Sequence, residues 1–133
     1  MEEIKLRSKE KKYKGINLEE LKQLSIKESA LYLTARSRRS VLRHPEFIER
    51  FVKTCEERIS RNKKIKTHQR DLVIIPKMVG MRIGIHDGKS FQEVEIDTDM
   101  IGHRLGEFAL TRKRVAHSAA GIGATKGSRA AKK

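Results

Sequence analysis

Apolar residues recur along this chain at two different periods, and each period predicts a different kind of element. Phe47, Ile48, Phe51, Val52, Cys55 and Ile59 fall on one stripe at 3.6 residues per turn. They predict a helix that starts near Pro45, a residue suited to a first turn because its missing N–H would be unpaired there anyway. The helix is expected to end in Arg58, Arg61, Lys63 and Lys64. Two shorter helical starts precede it. Asn17 stands three residues before Glu20 and Ser25 three before Glu28, the spacing of a capping box. The first helix would turn Leu18, Leu21 and Leu24 to one side. The second would present Ile26, Ala30, Leu33 and Ala35 to a partner and run on into Arg36-Ser37-Arg38-Arg39.

Past residue 65 the period shortens. Leu72-Val73-Ile74-Ile75 is an apolar run closed by Pro76, as in a short buried or edge strand. Met81, Ile83 and Ile85 alternate with Arg82, Gly84 and His86, and Val94 and Ile96 alternate with Glu93 and Glu95 around an Asp87-Gly88 turn. A two-residue turn would set Ile83 opposite Gln92. A four-residue loop, Asp87 to Ser90, instead pairs Ile83 with Val94, Met81 with Ile96 and Arg82 with Glu95. The second register matches apolar with apolar and charge with countercharge, so it is the one expected. Asp97-Thr98-Asp99 should cap one helical turn ending at Gly102.

These elements predict a small α+β fold in one domain over residues 17–112, helical over 17–61 and sheet-forming over 65–112. Residues 1–16, rich in lysine, read as a basic N-terminal tail. Residues 113–133 read as a basic Gly/Ala-rich C-terminal arm that cannot pack a core of its own.

Charge adds the functional direction. The chain has 133 residues and a formal charge of +14, from 31 Lys and Arg against 17 Asp and Glu. The excess gathers in three acid-free runs. The first, over 36–43, holds Arg36, Arg38, Arg39 and Arg43. The second, over 58–70, holds Arg61, Lys63, Lys64, Lys66 and Arg70. The third, over 112–133, holds Arg112, Lys113, Arg114, Lys126 and Arg129, with His117 among them. A charge run is ordinarily a solvated face, but three with no neutralising acid point to a polyanion, and guanidinium groups suit phosphate.

Other chemistry is not supported. Gly121-Ile122-Gly123-Ala124-Thr125-Lys126-Gly127-Ser128 has Lys before Gly, the wrong order for a phosphate-binding loop. The five histidines stand at no metal-ligand spacing, and Gly102 and Gly106 argue against His103 and Glu107 sharing a helical face. No catalytic cluster, metal site or cofactor is expected. The single Cys55 reads as a small core residue, and no apolar run is long enough for a signal peptide or a membrane span. A cytosolic protein that binds no membrane is therefore expected. No aromatic-rich strand offers stacking for bases, so contact should be mainly to phosphate, ribose and RNA shape. Against this stand a DNA-binding architectural protein, an RNA-processing enzyme and a protein-interaction module. The first is told apart by a preference for duplex DNA, the second by a catalytic pocket, and the third by binding that ignores salt.

Two segments carry a resemblance. One is Ile65-Lys66-Thr67-His68-Gln69-Arg70-Asp71 followed by Pro76-Lys77-Met78-Val79-Gly80. The other is Asp87-Gly88-Lys89, then Met100-Ile101-Gly102-His103-Arg104-Leu105-Gly106-Glu107-Phe108 and Thr111-Arg112. Together they resemble the universal family of small-subunit ribosomal protein nineteen. Tyr32-Leu33, Ala35-Arg36 and Gly121-Ile122-Gly123-Ala124-Thr125 resemble its archaeal and eukaryotic branch. The resemblance implies helices on a three-stranded sheet and a cytoplasmic place in the ribosome. It implies binding to small-subunit rRNA in the head, beside small-subunit ribosomal protein thirteen, and an arm reaching toward tRNA at the decoding site. It also adds Thr67, His68, Lys77, Lys89, His103 and Arg104 to the expected RNA contacts.

Overall fold

The computed structural model of the chain describes residues 11–114. Within them, short helices and a three-stranded mixed sheet enclose a single apolar cluster. The chain enters through a small antiparallel hairpin, β1 (Lys12–Tyr13) and β2 (Ile16–Asn17). These residues were expected in a loose tail. Tyr13 instead packs partly buried against the core, and Lys11 pairs with Asp97 at 2.9 Å.

Helix α1 (Leu18–Gln23) buries Leu21, but Asn17 makes no side-chain cap, so the first expected capping box is absent. The second is present. The Glu28 amide donates to Ser25 Oγ at 3.3 Å, and the Ser25 amide donates to Glu28 Oε2 at 2.9 Å. The helix it starts, α2 (Ile26–Ser29), is far shorter than expected. It passes through a single tight turn, Ala30–Tyr32, and the backbone is extended at Leu33 and Thr34 before α3 (Ala35–Arg43) begins. The expected single helix is therefore two. The break lets Leu33 point into the core, where it is 1% exposed, and leaves Ala35 outside. Arg38 closes the break, because its guanidinium donates to the carbonyls of Ala30, Leu31 and Leu33, where the helical ladder stops.

Helix α4 spans Pro45–Ser60, as its stripe predicts. The face it buries is narrower than that stripe: Ile48, Val52 and Cys55 are inside, Phe51 is half-buried, and Phe47 and Ile59 are 44% and 48% exposed. Spacings of four and three residues keep one ridge against the sheet, and the flanking positions rotate outward.

The main sheet is β3 (Ile65–Thr67), β4 (Arg82–His86) and β5 (Phe91–Glu95) in that order, with β3 parallel to β4 and β5 antiparallel. The β4–β5 register pairs Ile83 with Val94 and Arg82 with Glu95, as expected. The Asp87 amide donates to the Ser90 carbonyl at 2.9 Å across the four-residue loop, and the Ile96 amide donates to the Met81 carbonyl at 3.0 Å beyond the strands. The third strand is not the apolar run Leu72–Ile75. That run is extended and wholly buried, yet it bonds to a loop: the Gly102 amide to the Ile74 carbonyl, the Ile74 amide to the His103 carbonyl, and the Leu105 amide to the Leu72 carbonyl. Four consecutive apolar residues need cover on every side, which a two-faced sheet with one solvent side cannot give. Short Ile65–Thr67, with its buried–exposed–buried alternation, suits the edge instead.

Asp97 caps the turn Thr98–Met100 by accepting from the Thr98 amide at 2.7 Å, and the chain reverses at Gly102, where φ is +88°. Ser37 Oγ donates to the Gly102 carbonyl at 2.6 Å, fastening α3 to that reversal.

Candidate nucleic-acid interface

Helix α3 offers the first cationic surface. With no acid in its first turn, it exposes Arg36, Arg39 and Arg43 around a 46%-exposed Leu42. Among the described residues none of the three sits in an ion pair. Arg38, expected beside them, is turned inward as the brace described above.

The second surface lies where α4 meets β3. Arg61 ends the helix, Asn62 takes a left-handed conformation with φ of +53°, and Lys63 and Lys64 follow, exposed. Lys64 reaches across to Glu93 at 2.7 Å. An open groove between α4 and β3 is lined by Arg50, Arg58, Lys66 and His68 with Phe47 and Phe51, and no acid lines it. Thr67 lies inside, its Oγ1 accepting from the Gln69 amide at 3.0 Å.

The third group surrounds residues 102–112, where the expected contacts divide. Arg70 is an internal brace: its guanidinium donates to the carbonyls of His86, Gly106 and Ala109. Gly106 is required by that closeness, because a Cβ there would stand 3.0 Å from both the Cβ and the carbonyl oxygen of Arg70. Arg104 donates to the Asp71 carbonyl at 2.8 Å and to Ser40 Oγ at 3.1 Å, which ties the loop to α3. His103 lies outside the turn Leu105–Phe108 that carries Glu107, so the two share no helical face, as expected, yet His103 Nδ1 and Glu107 Oε2 meet at 2.6 Å. Leu105 is buried beneath, and Phe108 packs partly buried against the core.

Lys77 is half-buried in the turn Pro76–Met78, whereas Lys89, Arg112, Lys113 and Arg114 are exposed. Lys113 stands 3.5 Å from Asp87. The Asp87 carboxylate accepts from the amides of Ser90 and Lys89 at 2.7 and 3.0 Å, and these bonds hold its pKa far below the usual carboxylate value. His117, Lys126 and Arg129 lie outside the described residues.

One constellation escaped the linear reading. His68, His86 and Phe91 bring three rings together, with centroids 4.4 to 5.1 Å apart, and the Lys66 ammonium lies 5.3 Å from the Phe91 ring centre. The signal was in the hairpin register, which sets His86 opposite Phe91 at the last rung. No single strand is rich in aromatics; the sheet assembles them.

Among the described residues no group of three His, Cys, Asp or Glu side chains could hold a metal ion, and no helix is long and apolar enough to cross a membrane. Burial pushes the Cys55 thiol up to about 11.

A family model described as ribosomal protein S19 matches residues 34–117, from the cap of α3 past the last described residue. Over 123 residues, 92% of its length, the chain is 46% identical to small ribosomal subunit protein uS19 of Methanocella arvoryzae, covering 86% of that protein. It is 44% identical over the same length to small ribosomal subunit protein uS19 of Thermoplasma acidophilum, covering 80% of that protein.

Proposed function

The chain belongs to the ribosomal protein S19 family and is a structural, non-enzymatic component of the small ribosomal subunit; on that premise we propose that it is held in the subunit head by rRNA lying along α3 and along the α4–β3 junction. The observation that carries this is the exposure of Arg36, Arg39 and Arg43 in a patch free of acid, matched by the acid-free groove that holds Arg50, Arg58 and Lys66. Cations without protein partners on a chain of net charge +14 lower their repulsion by neutralising phosphates and releasing the counterions of the RNA.

The side chains divide the work. Arg36, Arg39, Arg43, Arg61, Lys63, Lys66, His68 and Lys89 are placed to meet rRNA. His103 is exposed on the loop that Arg104 holds in place. Arg38, Arg70 and Thr67 set the backbone from which the others project. Lys64 would exchange Glu93 for phosphate at small cost, since an exposed ion pair contributes on the order of 0–1 kcal/mol.

The likeness of Gly121-Ile122-Gly123-Ala124-Thr125 to the archaeal and eukaryotic branch, and the absence of acid from 112 to 133, support a second role. Lys113, Arg114, His117, Lys126 and Arg129 belong to an arm that extends toward tRNA at the decoding site. The same resemblance supports contact with small-subunit ribosomal protein thirteen.

Titrating the full chain onto an archaeal small-subunit rRNA transcript at increasing salt tests the reading. Neutralising roughly six to ten phosphates gives a slope of log K against log salt of about −4 to −9. A slope near zero, or equal binding to competing duplex DNA, overturns it.

A further inference from the structure

Charge alone does not explain the ring cluster at the loop end of the main sheet. His68 and His86 lie with centroids 4.4 Å apart and planes tilted by 33°, a close tilted pair, and Phe91 stands edge-on to both at 78° and 72°. His68 is exposed; His86 and Phe91 are half-buried beneath it. Histidines on a surface normally move freely, but His86, the lower ring of this pair, is anchored. The Gly88 amide donates to His86 Nδ1 at 3.1 Å, and Arg70 donates to the His86 carbonyl. The bond from Gly88 fixes which edge of the His86 ring faces the loop. Beside the rings Gly84 lets β3 and β4 come close, since a Cβ there would stand 3.1 Å from the Ile65 carbonyl oxygen.

We propose that this cluster is a stacking seat for one unpaired nucleobase of rRNA, with Lys66 on an adjoining phosphate. The seat presupposes the rRNA binding argued above and adds to it a contact with a base. The anchored His86 ring, the His68 ring over it and an edge-on phenyl ring supply a π surface already assembled in the fold, which lowers the cost of ordering it on binding. The acid-free groove lined by Arg50, Arg58, Lys66 and His68 leads directly to it and suits a sugar–phosphate backbone. The two acids on the same sheet face are already engaged, Glu93 by Lys64 and Glu95 by Arg82, so no free carboxylate repels that backbone. A peptide partner has no comparable reason to favour a groove of cations ending in clustered rings.

Binding of full-length variants to an archaeal small-subunit rRNA transcript, followed across salt, separates stacking from charge. His68→Ala should weaken binding roughly five- to 100-fold, the range of one lost base stack, and leave the salt slope unchanged. His68→Phe should restore most of the affinity. Lys66→Ala should flatten the slope by about 0.7–0.9, one phosphate contact. Wild-type affinity in His68→Ala overturns the seat and leaves the face to a protein partner. A flattened slope in His68→Ala, or no rescue by His68→Phe, also overturns it, since the residue would then act as a cation or a hydrogen-bonding group. If His68→Ala lowers the melting temperature, ultraviolet crosslinking of the wild-type protein to the transcript decides. A nucleotide on His68, His86 or Phe91 supports the seat, and crosslinks confined to other residues refute it. Failure of the wild type to bind the transcript would instead sink the rRNA reading itself.

Discussion

The guanidinium of Arg70 donates to the carbonyl oxygen of Gly106 at 2.8 Å, and the same glycine has no room for a Cβ because Arg70 stands against it. Each residue dictates the other. Arg70 closes three carbonyls from two stretches of chain, and only the smallest residue admits it. Arg70→Ala should therefore destabilise the fold by roughly 2–4 kcal/mol, the scale of hydrogen bonds to a charged donor. Gly106→Ala should cost about 1–3 kcal/mol through overpacking. Urea unfolding followed by circular dichroism measures both, and near-wild-type midpoints would show that the brace is dispensable.

On α4 the buried ridge and the exposed flank should behave differently. Ile48→Ala removes a side chain that is 4% exposed and should destabilise by about 2–5 kcal/mol. Phe47→Ala, on a residue 44% exposed, should cost no more than about 1 kcal/mol. Equal losses would mean that Phe47 is packed more tightly than its exposure indicates.

Asp87 gives a pH dependence of definite sign. Its folded pKa is depressed below the ordinary 3.8, first by the amides of Ser90 and Lys89 and then by Lys113. A depressed carboxylate stabilises the fold fully above the unfolded value, and that contribution fades as pH falls from there toward the folded value. Asp87→Asn keeps an acceptor and removes the charge. The urea midpoint of the wild type should exceed that of the variant by a constant margin from pH 7 to about 5, then by a shrinking margin below about 4. A margin that grows on acidification contradicts the assignment.

Cys55 should be inert. Burial has raised its thiol to about 11, so at pH 8 almost none is thiolate. Iodoacetamide should label it slowly in buffer and rapidly in urea. Fast labelling of the native chain would place the sulfur at the surface.

Truncation after Arg114 keeps Lys113 beside Asp87 and removes the remainder of the proposed arm. The shortened chain should unfold within about 0.5 kcal/mol of the full one, as for changes away from the packed core. It should enter small subunits, and those subunits should hold tRNA less well. Blocked assembly would make the arm an rRNA anchor, and unchanged tRNA affinity would leave it without the proposed role.

Much of this was legible because local rules and tertiary demands agreed. The β4–β5 register followed from matching Ile83 with Val94 and Arg82 with Glu95, and α4 from a stripe opened by Pro45. Elsewhere the tertiary demand won. Nothing local in Ala30-Leu31-Tyr32-Leu33 announces a break, since it is Leu33's place in the core and the reach of Arg38 that favour it. The run Leu72–Ile75 has strand composition, but its hydrogen-bond partners arrive from a distant loop. Charge clusters named the cations without saying which face solvent: Arg38, Arg70 and Arg104 look like Arg36, Arg39 and Arg43 in sequence and are held by carbonyls in space. His103 and Glu107 share no helix, as Gly102 and Gly106 imply, and their contact depends on the turn Leu105–Phe108, which helical spacing does not announce.

The pairing of Ile74 with Gly102 and His103 also fixes an order of events when the chain is made. Its partners are synthesised after both β4 and β5, so loop closure over that span must precede any gain from burying Leu72–Ile75. A nascent chain that has not yet emitted Leu105 can complete its hairpin, while the ridge Ile48, Val52 and Cys55 lacks its full cover. The last step should thus be a docking of the central segment that ties both halves together at once. Amide hydrogens of Ile74 and Leu105 would then exchange with solvent only through global unfolding, the slowest in the molecule.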